Sequence, residues 1–412
     1  MYFFRILPLI CLIAVSCQTE KKAASTSDEA LMAEAQSLAQ RFILTDGHVD
    51  LPYRLKVKNF RLEREFLQIP IKSDEGDFDY ERARIGGLDA PFMAIYIPSR
   101  EQLKPDMGKV LADSLINMVT GITALHPDKF ALANTPQEII ENTAAGKMSL
   151  PMGMENGAPI GNDIRNVEYF FNRGIRYITL THSKDNQICD SSYDTLNTWS
   201  GLSPFGEEVV KEMNRLGMMV DISHVSDSTF YDVIRVSKAP VIASHSSCRK
   251  FTPGFQRNMS DDMIRRLAEK GGVIQINFGA SFIDSVARTN TKLLDSLENV
   301  LKAKGYSSRD EAAQPIIDQF VKDHKTLYSD VERVADHIDH VVNLVGIDHV
   351  GIGSDFDGVG DSLPVGLKDV SQYPNLIFVL LKRGYTADQI EKICSGNVFR
   401  VWNKVIELAA AQ

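Results

Sequence analysis

The chain has 412 residues and a formal net charge of −9, with 44% apolar and 24% charged residues. This composition is that of an ordinary globular protein, and the length allows one large domain or two smaller ones. The acidic balance argues against nucleic acid as a partner, because phosphate binding requires a basic surface.

The first residues of the chain form a predicted export signal. Arg5 precedes an apolar run that is too short to span a bilayer but suits the core of a signal peptide. The small residue before Cys17 is typical of bacterial lipoproteins. We therefore predict a signal peptide over 1–16, a lipidated Cys17 with a flexible tether over 17–30, and a catalytic body over 31–412. The protein would be exported and anchored to a membrane by its lipid, facing the periplasm or the cell exterior. An uncleaved anchor helix is the alternative.

Eight apolar or β-branched runs follow along the body, and each ends in a polar residue before a helix-like segment. They are "RFILTDGHVD" (41–50), "PFMAIYIPS" (91–99), "KMSLPMGMEN" (147–156), "IRYITLTHS" (175–183), "GMMVDISHVS" (217–226), "APVIASHSS" (239–247), "GGVIQINFG" (271–279) and "HVGIGSDFDG" (349–358). Eight such runs alternating with helices predict the parallel strands of a (β/α)8 TIM barrel. Residues 284–335 are predicted as a helical insertion between strands 7 and 8. A two-domain α/β arrangement is the alternative.

The connecting segments carry the expected helix boundaries. Ser203 is a predicted N-cap with Pro204 at the first helical position, and Gly217 can end that helix. Ser260 and Thr386 are predicted to begin two further helices in the same way.

Imidazoles and carboxylates stand at the C-terminal ends of the predicted strands. Because these ends meet at one mouth of a barrel, we expect a single site there. Its side chains are His48, Asp50, Glu155, His182, His224, His245 and Asp355. One histidine in such a position is more often structural, but four of the nine histidines of the chain occupy it. Imidazole and carboxylate without cysteine fit a catalytic zinc-type centre.

Five of these side chains suffice for two metal ions if the glutamate bridges them. They are His48, Asp50, Glu155, His224 and His245. Two metals ~3.5–4 Å apart favour hydrolysis, because they clamp the attacking and leaving oxygens and lower the pKa of bound water. His182 remains to stabilise a developing oxyanion, and Asp355 remains to transfer a proton. Asp355 as a sixth ligand is the alternative.

Several segments, in this order, resemble the membrane dipeptidase (renal dipeptidase) family of zinc metallopeptidases, which have an amidohydrolase-like barrel. They are "DGHVDLP" (46–52), "TLTHS" (179–183), "GLSPFGEEVVKEMNRLGMMVDISHVS" (201–226), "APVIASHSS" (239–247), "RNMSDD" (257–262) and "GSDFDGV" (353–359). The resemblance covers most of residues 43–403 and implies two Zn²⁺ per chain, held by the five ligands above.

The same resemblance implies roles for the remaining site residues. His182 would contact the scissile group, Arg257 would bind the substrate carboxylate, and Asp355 would transfer a proton or bind the substrate amino group. From the residues alone, Arg257 is only a loop arginine. Three positions depart from the family pattern: Val49, Asn156 and Gly279. Gly279 stands where many members carry an aromatic residue, so we expect it to widen the pocket for the second residue of the substrate.

The implied activity is zinc-dependent hydrolysis of dipeptides to free amino acids by a metal-bridged hydroxide, with tolerance of a D-residue in the second position. The partners would be dipeptide substrates and a membrane, reached through the lipid anchor. Because family members commonly form dimers, a homodimer is a possible assembly. One alternative is another metal-dependent amidohydrolase, such as an N-acyl amino acid deacylase or a lactonase. A second is a non-catalytic peptide-binding lipoprotein.

Overall fold

A computed structural model describes residues 16–57, 71–73, 75–104, 106–306, 310–323 and 328–411. Residues 1–15 of the predicted signal peptide lie outside this range, so that assignment stays a prediction. Within the described range, no helix combines the length and the apolar character that crossing a bilayer requires.

Eight parallel strands form a closed barrel, which confirms the predicted (β/α)8 fold. They are β1 (Leu44–Val49), β2 (Leu88–Tyr96), β5 (Met152–Glu155), β6 (Ile175–Thr179), β7 (Met219–Asp221), β8 (Ile242–Ser246), β9 (Val273–Ile276) and β10 (Val350–Ile352). The segment after β10 closes the barrel onto β1. The backbone N–H of Asp50 donates to the carbonyl oxygen of Phe356 at 2.9 Å, and that of Asp355 donates to the carbonyl of His48 at 3.1 Å.

The third predicted run divides into two strands at Pro151. Its first half, β4 (Met148–Leu150), pairs with β3 (Phe130–Leu132) in a small side sheet, and only its second half enters the barrel. Proline lacks the N–H that a continuous central strand would need, so the change of partner falls at this residue.

Sixteen α-helices surround and cap the barrel in the described part of the chain. They are α1 (Ser16–Arg41), α2 (Leu51–Val57), α3 (Tyr80–Gly86), α4 (Met107–Leu125), α5 (Pro136–Ala144), α6 (Arg165–Asn172), α7 (Pro204–Leu216), α8 (Asp227–Val236), α9 (Asp261–Glu269), α10 (Ala280–Ile283), α11 (Ser285–Ala303), α12 (Gln314–Asp323), α13 (Val331–Val345), α14 (Tyr373–Lys382), α15 (Ala387–Glu391) and α16 (Asn397–Ala410). The predicted N-caps Ser203, Ser260 and Thr386 each accept a hydrogen bond from a backbone N–H of the first turn.

The predicted helical insertion is confirmed by α11 and α12, which lie between β9 and β10. The insertion has a small apolar cluster of its own, around Leu297, Leu301 and Ala313. It is therefore an addition to the barrel rather than part of its core.

Residues 17–30, predicted as a tether, lie in the first half of α1, and the division of the chain into signal peptide, tether and catalytic body stays a prediction. The segment is rich in alanine, lysine and glutamate, which favour helix. The second half of α1 buries Ala35 and Leu38 in the core, and Lys382 of α14 pairs with Asp28 at 3.1 Å. A helix nucleated by the contacts of its second half with the barrel can thus propagate back towards Cys17.

Candidate metal centre and substrate pocket

The barrel mouth is organised around the carboxylate of Glu155, at the end of β5. Its Oε2 lies 3.3 Å from Nε2 of His48. Its Oε1 lies 2.9 Å from Nε2 of His224 and 3.2 Å from Nε2 of His245. The two oxygens of one buried carboxylate therefore face two different sets of imidazoles.

The other three predicted side chains lie at the edges of this cluster. Asp50 Oδ2 is 3.3 Å from Nε2 of His48, and donor atoms of these two residues and Asp355 all lie within 4.8 Å of one another. His182 Nε2 is 3.9 Å from Oε1 of Glu155. The structure thus brings together all seven predicted strand-end residues.

The cluster fits a metal cofactor by its chemistry and by its unpaired atoms. His48 Nε2 and Asp50 Oδ1 are buried and have no hydrogen-bond partner among the described residues. Buried polar atoms are normally paired, so such atoms point to a missing ligand. Imidazole nitrogens and carboxylate oxygens without thiolates are donors that a catalytic metal accepts.

Tyr177, which the sequence analysis missed, orients the first imidazole. Its hydroxyl donates to the carbonyl oxygen of Gly47 at 2.9 Å and lies 3.0 Å from Nδ1 of His48. Because the single hydroxyl proton goes to Gly47, Nδ1 of His48 is the donor to Tyr177, and Nε2 is left facing the cluster. A Cβ on Gly153 would fall on the Tyr177 ring, so this glycine makes the space that the tyrosine occupies.

Asp221, at the end of β7, orients the imidazole of His245 through the hydroxyl of Ser244, much as Gly47 and Tyr177 orient His48. The Ser244 hydroxyl donates to Asp221 Oδ2 at 2.6 Å and lies 2.7 Å from Nδ1 of His245. Asp221 also accepts from the Thr179 hydroxyl. The available signal was a carboxylate at a buried strand end, three residues before His224.

The charge states of the imidazoles suit metal binding. Burial, together with the Arg257 charge, lowers the pKa of His224 well below its usual value, and burial does the same for His245. Both are therefore neutral, which is the form that binds metals. Burial opposes a charge on His48 as well, but interactions with Tyr177, Glu155 and Asp50 raise its pKa. The surroundings of His48 therefore favour a cation at Nε2, whether a proton or a metal ion.

Two of the acidic residues at the mouth, Glu155 and Asp355, differ in the direction of their pKa shifts. Burial opposes the charge of Glu155, but His48, His182 and the hydrogen bonds from the other imidazoles lower its pKa well below the usual value. For Asp355, burial outweighs the charge of His48 and, with the nearby carboxylates, raises the pKa to about 8. Asn277 holds Asp355 in place through a 2.8 Å hydrogen bond from Nδ2 to Oδ2.

A cavity of about 550 Å³ opens at the cluster and is large enough for a small ligand. Its lining residues outside the cluster include Tyr53, Tyr96, Tyr193, Phe282 and Val359. None of these five was predicted, because an aromatic or aliphatic residue in a loop or strand carries no pattern that separates pocket from core.

Arg257 is buried beside the cluster, with 3% of its surface exposed. It donates to the Ser246 hydroxyl at 2.6 Å and to the carbonyl of His245 at 2.8 Å. Its Nε has no hydrogen-bond partner among the described residues. The arginine is not among the residues that line the cavity, and the ring of Phe282 packs on it, with the guanidinium carbon 5.3 Å from the ring centroid.

A (β/α)8 barrel with imidazoles and carboxylates at its strand ends is typical of metal-dependent hydrolases. The model of the family described as membrane dipeptidase, peptidase family M19, matches residues 32–412, and the chain belongs to this family. The protein is therefore a metal-dependent dipeptidase, a hydrolase that acts on peptide bonds. The predicted family, fold and enzyme class are confirmed.

Individual relatives agree with this assignment. The dipeptidase tcpJ of Claviceps purpurea is 33% identical over 374 residues, which cover 89% of this chain and 78% of that protein. The crystal structure of the probable dipeptidase PvdM from Pseudomonas aeruginosa superposes with a TM-score of 0.75 at 26% identity, covering 92% of this chain and 99% of that one. A metallopeptidase from Rhodobacter sphaeroides, solved with a phosphinate mimic of the dipeptide L-Ala-D-Ala, has a TM-score of 0.72 at 25% identity and covers 88% and 99%.

Proposed function

We propose that the protein is a binuclear zinc dipeptidase with Glu155 as the bridge between two Zn²⁺ ions. The proposed ligands are His48, Asp50, Glu155, His224 and His245. The observation that supports this most directly is that the two carboxylate oxygens of Glu155 have different neighbours. Oε2 faces His48, while Oε1 faces His224 and His245. When bound, the two ions would supply Lewis acidity for polarising the scissile carbonyl and for activating water.

The other proposed site residues serve the substrate. His182, on the cavity wall, donates a hydrogen bond to the carbonyl oxygen as negative charge develops there. Asp355, held by Asn277, passes a proton to the leaving nitrogen when the C–N bond breaks. Water supplies the oxygen of the new carboxylate, so the products are two free amino acids.

Arg257 is proposed to bind the carboxylate of the dipeptide. Its buried, unpartnered Nε supports this role, since a guanidinium can hold a carboxylate by two parallel hydrogen bonds. An Arg257→Ala variant should lose roughly ten- to hundredfold in kcat/KM for L-Ala-L-Ala, because a charged hydrogen bond is lost. The exposed Arg266 on α9 provides the control, and its alanine variant should keep wild-type kinetics. A loss below threefold in Arg257→Ala would overturn the role.

We propose further that the enzyme tolerates a D-residue in the second position, so that dipeptides released from cell walls are substrates. The relative that binds a mimic of L-Ala-D-Ala supports this. The test is hydrolysis of L-Ala-L-Ala and L-Ala-D-Ala by the purified protein, measured as the release of free alanine. Cleavage of the first with none of the second would overturn the tolerance while leaving the dipeptidase activity intact.

Export and lipid anchoring at Cys17 remain proposals that rest on the sequence of residues 1–17. Metabolic labelling with a radioactive fatty acid should mark the wild-type protein and leave a Cys17→Ala variant unlabelled, and equal labelling would contradict the anchor. A homodimer is proposed on family resemblance alone. Light scattering after size-exclusion chromatography would reveal it as a mass of twice the chain.

A further inference from the structure

The place beside Gly279 is filled by two other side chains. A Cβ on Gly279 would lie 2.8 Å from Cδ2 of Phe282 and 3.0 Å from Cγ1 of Val359. Both Phe282 and Val359 line the substrate cavity. The expectation that Gly279 widens the pocket is therefore wrong, because the space it leaves is taken by a phenylalanine from three residues further along the chain.

The backbone of Gly279 shows that space, not conformation, requires a glycine here. Its φ of −51° is accessible to any residue. Both backbone groups of Phe282 are held by hydrogen bonds. Its N–H donates to the carbonyl of Gly279 at 2.8 Å, and its carbonyl accepts from Asn258 Nδ2 at 2.6 Å. The ring of Phe282 is thus delivered into the cavity from a fixed backbone position.

The ring also contacts the proposed carboxylate site. The guanidinium carbon of Arg257 lies 5.3 Å from its centroid, within the range of a cation–π interaction. Phe255 packs beside it with a centroid distance of 5.8 Å. A dipeptide whose carboxylate reaches Arg257 must therefore place its second side chain close to Phe282.

We propose that Phe282, admitted by Gly279, limits the size of the second side chain of the dipeptide. Glycine and alanine fit against the ring, whereas leucine and phenylalanine would collide with a ring whose backbone is fixed. The inference rests on the proposed role of Arg257. Selection for a small second residue is thereby assigned to Phe282, three residues after Gly279, the position that the family resemblance indicates.

The test compares Phe282→Ala with the wild type on two series of dipeptides. In the first series the first residue is alanine and the second is glycine, alanine, leucine or phenylalanine. In the second series the first residue varies and the second is glycine. The kcat/KM ratio of L-Ala-L-Leu to L-Ala-Gly should rise by tenfold or more, since each methylene in a pocket changes kcat/KM by roughly 10–200-fold. The ratios within the first-residue series should stay at wild-type values. Calorimetric affinities for phosphinate mimics with alanine or leucine as second residue should shift in the same sense.

Phe171→Ala is the matched control, because Phe171 also packs on an arginine, Arg176, at 4.4 Å, but does so on α6, away from the cavity. Gly279→Ala should alter the ratio as well, by displacing Phe282. If Phe282→Ala does not fold, Phe282→Leu is measured in its place. A leucine-to-glycine ratio within twofold of wild type, or equal changes in both series, would overturn the inference. Failure of the wild-type protein to cleave any dipeptide would instead overturn the proposed function.

Discussion

Tyr177 and His48 form a hydrogen bond of 3.0 Å in the interior of the barrel, beneath the proposed metal centre. The tyrosine lies on β6 and the histidine on β1, so the contact crosses the barrel rather than joining adjacent strands. Because the hydroxyl proton is given to Gly47, the contact fixes which nitrogen of His48 faces the metal centre. The orientation of this ligand is thus set by a residue that touches neither metal nor substrate.

Removing this hydroxyl should weaken metal binding. Tyr177→Phe keeps the ring but leaves Nδ1 of His48 without its partner, and loss of such a contact typically costs ten- to a hundredfold in metal affinity. Competition with a chelator measures the affinity. Tyr169→Phe removes a surface hydroxyl bonded to Asp113 and should leave it unchanged. Equal affinities for Tyr177→Phe and the wild type would show that His48 needs no such support.

Gly153 should tolerate no side chain. In Gly153→Ala the added methyl would fall on the buried Tyr177 ring, which must move, and we expect a loss of about 1–3 kcal/mol or more in the free energy of unfolding. Urea denaturation measures the loss. Gly108→Ala, where the nearest atom is 3.6 Å from the new Cβ, should change stability by less than about 1 kcal/mol. Similar stabilities for both variants would contradict the close approach of strand and ring.

The stability should fall in mild acid because of His337. This buried histidine accepts from the N–H of Cys248 at 3.0 Å and donates to the carbonyl of Ile283 at 2.9 Å, which joins α13 to the loop after β8 and to α10. Burial lowers its pKa to about 3, whereas the unfolded chain has a value of about 6.5. The unfolded state therefore binds the proton more readily, and the contribution of His337 is complete above pH 6.5 and is lost as the pH falls towards 3.

Between pH 7 and pH 5 this loss amounts to about 2 kcal/mol. Urea denaturation at the two pH values should show it in the wild type and a smaller change in His337→Gln, which cannot be protonated. The difference between the two proteins isolates His337 from the other histidines. An identical pH dependence in both would mean that His337 is already protonated in the folded protein or exposed.

Asp355→Asn should reduce turnover while preserving the fold. The amide oxygen can still accept from Asn277, but the side chain can no longer carry a proton to the leaving nitrogen, and general acid catalysis contributes about 10²–10⁴-fold. Steady-state kinetics with L-Ala-L-Ala should show the fall in kcat rather than in affinity. Asp388→Asn, on the surface of α15, is the control. A fall of less than tenfold would assign Asp355 to substrate binding or to metal coordination alone.

The sequence predicts the site as far as the barrel itself positions it. His48, Glu155, His224 and His245 stand at or just after the C-terminal ends of strands, and these ends meet in any barrel, so their proximity needs no knowledge of packing. Arg257 lies in a loop, and only the structure shows that it is buried with one nitrogen unpaired. Loops carry no periodic pattern from which such burial could be inferred.

Supporting residues were missed for a related reason. Tyr177 lies inside a buried strand and looks like a core residue, and its role depends on a partner 129 positions earlier. The effect of Gly279 was predicted with the wrong sign, because a missing side chain suggests free space. Which neighbour fills that space is decided by tertiary packing, here by the turn that carries Phe282.

One bridging carboxylate is proposed to hold two metal ions, and titration of the metal-free protein with Zn²⁺ distinguishes this arrangement from a site with a single metal. The protein is stripped with a chelator, and both bound zinc and hydrolysis of L-Ala-L-Ala are followed as zinc is added. We expect saturation at two zinc ions per chain, full activity only at that point, and loss of the second equivalent in Glu155→Gln. Saturation and full activity at one zinc per chain, with the same stoichiometry in Glu155→Gln, would contradict it.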